Sequence, residues 1–383
     1  SDPAAGICYH PSMKAAWSAL PAIVPPERQG MSDVLGVDAN GAGSTEDIVD
    51  ITIIGAGPVG LSAAFYAGMR GASTRIIDSL EEPGGALTAI YPEKYIYDVG
   101  GFPKILAKDL VEQLVEQANS RSTPDLCLKE EVTGLERLES GVIKLTTSKM
   151  VRYSKTVIVC AGVGAFEPKK HAAPGVSDLE GRGVHYFAKR IEAFRDKDVV
   201  IVGGGDSAVD WGVTLEPIAR SITLIHRSKF RAHESTIREL AESSAKLHYP
   251  GYEIIRVDAD AGGNLCSVTH RDPEGNEETI SCSDLIVAIG FLADLGPLKG
   301  WGFELQRNQI VVDHTTMMTN IPGVFGAGDI VAYPAKFKLI ANGFAEAITA
   351  VNHAVTFYDP SQRLDAGHST NIVAKQEAAA TPA

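Results

Sequence analysis

Two glycine-rich turns, one in each half of the chain, constrain the possible folds more than any other sequence feature. Gly55-Ala-Gly-Pro-Val-Gly60 follows the apolar run 48–54, and Gly203-Gly-Gly-Asp-Ser-Ala208 follows the apolar run 198–202. Glycines at this spacing allow a tight turn, close approach of the backbone to a pyrophosphate, and close packing of the next helix on the strand. The sequence therefore predicts two βαβ units that each bind a dinucleotide. The expected contacts are Gly55, Gly57 and Gly60 in the first turn and Gly203, Gly205, Asp206 and Ser207 in the second.

The residue that ends the second strand of each unit differs in charge. Asp78 ends the run 74–78, whereas Arg227 ends the run 222–227 and is followed by Lys229 and Arg231. A carboxylate at this position suits a free ribose, and an arginine suits a 2′-phosphate. We therefore expect Arg227 and Arg231 to select NADPH over NADH in the second unit.

Composition excludes several other classes of protein. The formal net charge of −13 argues against nucleic acids and anionic membranes as partners. Apolar runs stay well short of the roughly 20 residues that span a bilayer, so no membrane insertion is expected. The five cysteines are scattered, with no C-x-x-C pair and no spacing typical of metal ligands, and no metal site is expected.

The order of strands and helices predicts an α/β protein with two Rossmann-like dinucleotide-binding domains of the three-layer ββα type, one inserted in the other. Two apolar strands that end on glycine, 156–162 and 285–290, mark the expected crossings between the domains. The first domain then comprises residues 46–164 and 288–365, and the second comprises 165–287. Residues 1–45 are expected to be a disordered extension, and the small, polar tail from Ala374 is expected to be disordered as well.

Several longer motifs identify a family resemblance. The runs 84–104 (GGALTAIYPEKYIYDVGGFPK), 203–211 (GGGDSAVDW), 230–234 (FRAHE) and 367–370 (GHST) resemble the bacterial type 2, thioredoxin-reductase-like ferredoxin:NADP reductases. The likeness extends from about Ile48 to Thr370. It implies a homodimeric, cytoplasmic FAD flavoprotein that transfers electrons between NADPH and ferredoxin or flavodoxin.

The resemblance also assigns roles to individual residues. Tyr91 matches the aromatic residue that stacks on the isoalloxazine ring, and His368, in the C-terminal segment 366–383, matches a second ring that covers it. The other matches to flavin-contacting positions are Asp78, Val132, Phe166, Gly328, Asp329 and Thr370. Two departures stand out. Ala86 replaces a glutamine of the family, and the loop His226-Arg-Ser-Lys-Phe-Arg231 is one residue shorter and has one arginine fewer.

The stretch before the second glycine turn lacks the C-x-x-C of thioredoxin reductases. Electrons are therefore expected to pass from the flavin directly to an external acceptor, with Lys336 and Lys338 as candidates for docking an acidic carrier protein. Two alternatives stay open at this point. One is an NAD(P)H-dependent flavin or quinone reductase, which would turn over with small acceptors. The other is a non-catalytic flavin-binding redox sensor, which would bind FAD without oxidising NADPH.

Overall fold

The computed structural model of this protein describes residues 48–162, 164–188 and 190–380. The segment 1–45, expected to be disordered, lies outside these residues. Contacts within the chain define two compact units: the first takes the described residues up to Thr88, Tyr95–Gly164 and the residues from Leu295 onward, and the second takes Ala89–Lys94 and Ala165–Asp294. The expected second domain was 165–287. The unit thus continues to Asp294 and includes the short segment Ala89–Lys94.

Strands and helices of the first segment of the chain follow the predicted pattern. The strands are β1 (Ile48–Ile54), β2 (Thr74–Ile77), β3 (Tyr95–Ile96), β4 (Ile105–Leu106), β5 (Asp125–Cys127), β6 (Val132–Arg137), β7 (Ile143–Thr147) and β8 (Val151–Val159). The helices are α1 (Pro58–Met69), α2 (Ala86–Ala89) and α3 (Ala107–Asn119).

The inserted segment contains the second strand–turn–helix unit. Its strands are β9 (Ala165–Pro168), β10 (Val184–His185), β11 (Asp198–Val202), β12 (Ser221–Ile225), β13 (Lys246–His248), β14 (Glu253–Ala259), β15 (Leu265–Arg271), β16 (Glu277–Ser281), β17 (Asp284–Val287) and β18 (Phe291–Asp294). Its α-helices are α4 (Asp206–Leu215) and α5 (Glu234–Glu242).

The final segment returns to the first unit. It adds β19 (Leu305–Gln306), β20 (Gln309–Val311), β21 (Val324–Gly326), β22 (Val331–Ala332), α6 (Ile340–Tyr358) and α7 (Ser369–Ala380). Among the described residues, no helix is both long and apolar enough to cross a membrane.

A seven-stranded sheet forms the centre of the first unit. Its order is β5-β2-β1-β8-β7-β6, and β21 also pairs with β8. Strands β5, β2, β1, β8 and β21 are mutually parallel where they pair, and β7 runs antiparallel to both β8 and β6. Because β1 lies between β2 and β8, its carboxyl end carries the first glycine turn to the middle of the sheet edge, where parallel α/β sheets bind ligands.

The second unit has a parallel five-stranded sheet of order β10-β17-β11-β12-β13 and an antiparallel sheet of order β14-β15-β16. Side chains of β11 alternate between two cores. Val200 and Val202 pack with residues of the antiparallel sheet, whereas Val199 and Ile201 pack with α4 and α5. This period of two places the parallel sheet between the antiparallel sheet and the helices. The predicted three-layer, two-domain α/β class is confirmed.

One expectation about the end of the chain is wrong. The tail from Ala374 was expected to be disordered, but helix α7 extends through this segment to Ala380. The Gln376 side chain donates hydrogen bonds to the carbonyls of Gly68, at 2.9 Å, and Met69, at 3.3 Å. Alanine, glutamine and glutamate favour helices, and contact with the end of α1 stabilises this helix further. Composition alone did not indicate that contact.

Candidate cofactor-binding sites

The first glycine turn has a separate geometric reason for each of its glycines. Gly55 has φ +109°, and a Cβ there would lie 2.4 Å from the carbonyl oxygen of Cys160. A Cβ at Gly60 would lie 1.9 Å from the carbonyl oxygen of Gly55. Gly57 is different, because a Cβ there would meet no atom within 4 Å. Its missing side chain therefore leaves open space in front of the turn.

Helix α1 begins directly behind that space. Gly57 is its N-cap with extended backbone, Pro58 follows at the first position, and no side chain caps the helix. The first N–H groups of a helix without a cap form a site for a phosphate or another anion. The open space at Gly57 and the α1 N-terminus together form a cradle. This cradle fits the pyrophosphate of a dinucleotide such as FAD.

Asp78 lies against the same turn. Its Oδ2 accepts a hydrogen bond of 2.6 Å from the Ala56 amide, and its Oδ1 accepts one of 2.8 Å from the Leu80 amide. Burial raises the pKa of Asp78, and the two amide hydrogen bonds act in the opposite direction. Ribose hydroxyls would donate further hydrogen bonds and so favour the carboxylate form. Val132, buried at the start of β6, follows the segment in which the Glu130 amide donates to the Asp78 carbonyl.

The Gly328-Asp329 turn meets the N-termini of two helices. A Cβ at Gly343, in the first turn of α6, would lie 2.3 Å from the Val59 side chain and 3.5 Å from the Gly328 Cα. Val59 is in the first turn of α1. The tertiary structure thus brings two positive helix ends to the predicted turn, where they favour negative charge on a bound group.

Asp329 is half-buried in this turn, and burial raises its pKa while Lys336 and Lys338 act to lower it. The Gln309 side chain donates a hydrogen bond of 2.9 Å to the Asp329 carbonyl. This bond holds the backbone of Asp329 within the turn.

A buried network that the sequence analysis missed supports the same turn. Glu346 on α6 is 5% exposed, and its Oε2 accepts a hydrogen bond of 2.8 Å from the Gly328 amide. Its Oε1 accepts from the Tyr333 hydroxyl and from Lys336. Burial, and then the hydrogen bond to Glu346, raise the pKa of Tyr333 to about 12, so that this phenol stays a donor. A glutamate on the small, apolar face of α6 was the available sequence signal.

This network corrects the expectation for Lys336. Its side chain is 6% exposed and paired with Glu346, so Lys336 does not offer its charge to a partner protein. Lys338 is exposed, beside Phe337, which is 64% exposed, and Leu339, which is 43% exposed.

The second glycine turn repeats the geometry of the first within its own unit. Gly203 has φ +149°, and a Cβ there would lie 2.2 Å from the carbonyl oxygen of Ala288. A Cβ at Gly205 would meet no atom within 4 Å, and Gly205 is the N-cap of α4, without a side-chain cap. Asp206 and Ser207 are exposed in the first turn of α4, and Asp206 accepts a hydrogen bond of 3.0 Å from the His233 amide. The backbone of this turn thus also fits a pyrophosphate.

The loop after β12 is held close to this turn. The Arg231 amide donates a hydrogen bond of 2.7 Å to the Gly204 carbonyl, and the His226 ring lies over Gly204, where a Cβ would be 2.1 Å from it. Burial lowers the pKa of His226, and Arg231 and Arg227 lower it further. The Arg227 and Arg231 side chains are exposed on this loop. The loop can therefore present two cations beside the turn while its histidine stays neutral.

Tyr91 lies in the segment Ala89–Lys94, which belongs to the second unit. Its ring packs against the apolar core formed by β11, β12, β17, α4 and α5. Glu93 accepts a hydrogen bond of 2.8 Å from the Ile191 amide, and Lys94 pairs with Asp210. The expected stacking of Tyr91 on the flavin stays a prediction.

The other aromatic and C-terminal candidates are distributed as follows. Phe166 is on β9, where it pairs with Ala293 of β18. His368 and Thr370 are both exposed, and the His368 carbonyl accepts a hydrogen bond of 3.0 Å from the Asn371 amide at the start of α7. Their expected contacts with the flavin stay predictions as well.

Comparison with known proteins places these two sites in a family. The pyridine nucleotide-disulphide oxidoreductase model matches residues 49–354. A ferredoxin–NADP reductase of Geobacillus thermodenitrificans is 47% identical over 85% of this chain and 98% of its own length, and one of Halalkalibacterium halodurans is 48% identical over the same shares. The crystal structure of T. acidophilum thioredoxin reductase superposes with a TM-score of 0.69 at 25% identity, over 82% of this chain and 99% of that one. The chain therefore belongs to the pyridine nucleotide-disulphide oxidoreductase family and, within it, to the ferredoxin–NADP reductases.

Proposed function

We propose that this enzyme is an FAD-dependent oxidoreductase that transfers electrons between NADPH and ferredoxin. The observation that carries the proposal is the pair of glycine turns. They have the same backbone design, but the residues beside them have opposite charges. An acid beside the first turn suits the ribose of FAD, and two arginines beside the second suit the 2′-phosphate of NADPH. The name shared by the relatives supports the same pair of substrates.

The first unit would hold FAD through its backbone and two carboxylates. Gly57 and the α1 N-terminus would bind the pyrophosphate, Asp78 the adenosine ribose, and Asp329 the ribityl chain. Bound FAD supplies a group that takes up two electrons together and releases them singly. The N-termini of α1 and α6 would stabilise negative charge on the reduced cofactor.

The second unit would bind and orient NADPH. Gly205 and the α4 N-terminus would hold its pyrophosphate, and Arg227 and Arg231 its 2′-phosphate. Hydride transfer needs two rings held close together in the correct orientation and needs no side-chain acid or base. We therefore assign Tyr91 and His368 to control of access and stacking at the flavin ring, with no proton-transfer role.

The absence of a C-x-x-C pair bears on the class of the external electron acceptor. The sequence contains no C-x-x-C, so the enzyme has no such dithiol through which to pass electrons to a disulfide substrate. We propose a small acidic iron–sulfur protein as acceptor, with flavodoxin as a second carrier of the same charge. Exposed Lys338, flanked by exposed Phe337 and Leu339, would contribute to its docking.

Stopped-flow absorbance tests this proposal directly. Anaerobic NADPH should bleach the flavin band rapidly and NADH slowly, and added ferredoxin should restore the band. A flavin that neither nucleotide bleaches would contradict the central claim. Rapid reoxidation by quinones but not by ferredoxin would instead favour a flavin or quinone reductase.

Assembly and location stay predictions of the family resemblance. We expect a homodimer that works in the cytoplasm. Light scattering coupled to size-exclusion chromatography should give twice the mass of the 40.7 kDa chain. A monomer with full activity would contradict the proposed homodimer.

A further inference from the structure

Three polar side chains meet at one corner of the second unit, outside both glycine turns. His248 ends β13, His270 lies on β15, and Glu278 lies directly opposite His270 on β16. One ligand-type atom from each lies within 4.8 Å of the others. The expectation of no metal site rested on the cysteines alone and did not consider these three residues, which are 22 and eight positions apart along the chain.

His270 is the unusual member of this group. It is 1% exposed, and neither of its ring nitrogens has a hydrogen-bond partner among the described residues. Leaving a buried donor or acceptor unpaired costs about 1–3 kcal/mol, so proteins avoid it unless something else satisfies the group. The Glu278 Oε2 lies 3.7 Å from the His270 Nε2, beyond the range of a normal hydrogen bond.

The separation between these atoms fits a different kind of contact. Ligand atoms about 2.0–2.1 Å from a tetrahedral Zn²⁺ lie roughly 3.3 Å from one another. The 3.7 Å between His270 and Glu278 is close to this value. His248 lies next to His270, with ring centroids 4.8 Å apart. Because His248 is half-buried and Glu278 is exposed, small side-chain rotations can bring both within reach of one ion.

A neighbouring aromatic ring also contributes to the geometry of this group. The Tyr252 ring packs edge-on against both histidines, at 5.2 Å from His248 and 5.6 Å from His270, and this restricts their ring orientations.

We propose that His248, His270 and Glu278 form a Zn²⁺ site on the nucleotide-binding unit, with two imidazole nitrogens and one carboxylate oxygen as protein ligands. Zn²⁺ suits this borderline donor set, and three protein ligands leave a fourth position for water. The site lies beside the NADPH loop, since the His226 amide donates to the His248 carbonyl and the Gly251 amide donates to the Arg227 carbonyl. Bound zinc would thus stabilise the strand end against which this loop is held.

Equilibrium dialysis of the tag-free, FAD-loaded protein against Zn²⁺, after treatment with EDTA, tests the site by elemental analysis. We expect one Zn²⁺ per chain and binding at least about tenfold weaker in His248→Gln and in Glu278→Gln, a difference of about 1.4 kcal/mol. Both positions are solvent-accessible, so these variants should fold, which the flavin spectrum and circular dichroism would verify.

Glu277→Gln is the matched control. Glu277 is the neighbour of Glu278 on the same strand, but it pairs with Arg271 at 3.0 Å. The variant should bind Zn²⁺ like the original protein. Absence of stoichiometric zinc, equal binding in all four proteins, or equal weakening in Glu277→Gln would overturn the proposal.

Discussion

The two glycine turns of this enzyme share a backbone design and differ in the chemistry beside it. In each turn the first glycine has positive φ and lies against the carbonyl of the residue that follows a strand, Cys160 after β8 or Ala288 after β17. In each, the middle glycine faces open space at the N-terminus of a helix without a side-chain cap. The backbone therefore forms the same type of cradle twice. The identity of each dinucleotide must depend on the side chains beside the cradle.

The chemical differences lie at the edges of the two cradles. The first has a buried acid, Asp78, bonded to the turn itself, and a second turn at Asp329 supported by Glu346. The second has exposed arginines on a loop bonded to the turn through the Arg231 amide. A buried carboxylate requires hydroxyl donors, whereas exposed cations suit a phosphate that remains partly hydrated. We therefore propose that the first cradle retains its dinucleotide and the second exchanges it.

The largest expected effects come from a Cβ placed in each cradle. Gly57→Ala and Gly205→Ala should both fold, because both residues have negative φ and an open Cβ position. Gly57→Ala should weaken FAD binding about 100-fold, or about 2.7 kcal/mol, and Gly205→Ala should weaken NADPH binding similarly while FAD is retained. Flavin content after size-exclusion chromatography and NADPH titration would measure the two losses.

Gly300→Ala is the control for this pair, since its Cβ would also meet nothing within 4 Å. It should bind both nucleotides normally. Full FAD content in Gly57→Ala would show that the pyrophosphate does not approach that residue.

A second pair of substitutions tests the third position of each turn. Gly60→Ala would place a Cβ 1.9 Å from the Gly55 carbonyl oxygen and should destabilise the apoprotein by about 1–3 kcal/mol. The second unit already has a side chain at the equivalent Ala208, and Ala208→Gly should cost about 1 kcal/mol in α4. Calorimetric melting of both apoproteins would measure this. A larger loss of stability in Ala208→Gly than in Gly60→Ala would contradict this expectation.

The charge difference is tested at Arg227, with a matched control at the other end of the same strand. Arg227→Gln should raise KM for NADPH about tenfold, or about 1.4 kcal/mol, and leave KM for NADH unchanged. Arg220, just before β12, is a surface arginine that pairs with Asp198. Arg220→Gln should alter neither the KM for NADPH nor the KM for NADH. Steady-state kinetics with both nucleotides would check this. An equal effect on NADH would mean that Arg227 does not recognise the 2′-phosphate.

The smallest expected effect concerns the C-terminal segment of the first unit. Deletion of residues 366–383 should leave FAD bound, because the Gly57 cradle, Asp78 and Asp329 stay intact. It should change the rate of hydride transfer or the choice of acceptor by a few fold, since His368 is removed. Stopped-flow kinetics with NADPH would measure this, and unchanged kinetics would exclude a covering role for the segment.

Local sequence signals predicted most of the elements that carry the cofactor sites. The runs at β1 and β11 were predicted with the bounds that the structure has. Each signal combines an apolar run, a glycine turn and a helix start, which are properties of adjacent residues. Helix α7 was missed because a small, polar composition was interpreted as disorder, although the helix is fastened by Gln376 to residues about 300 positions away.

The sequence by itself determined the two cradles and the charge beside each, because strand, turn and helix follow one another along the chain. Only the tertiary structure decided which distant side chains complete them. It placed Glu346 under the Gly328 amide, put Tyr91 in the second unit, and brought together His248, His270 and Glu278. Such contacts depend on which strands pair and which helices pack, and no short stretch of sequence specifies that pairing.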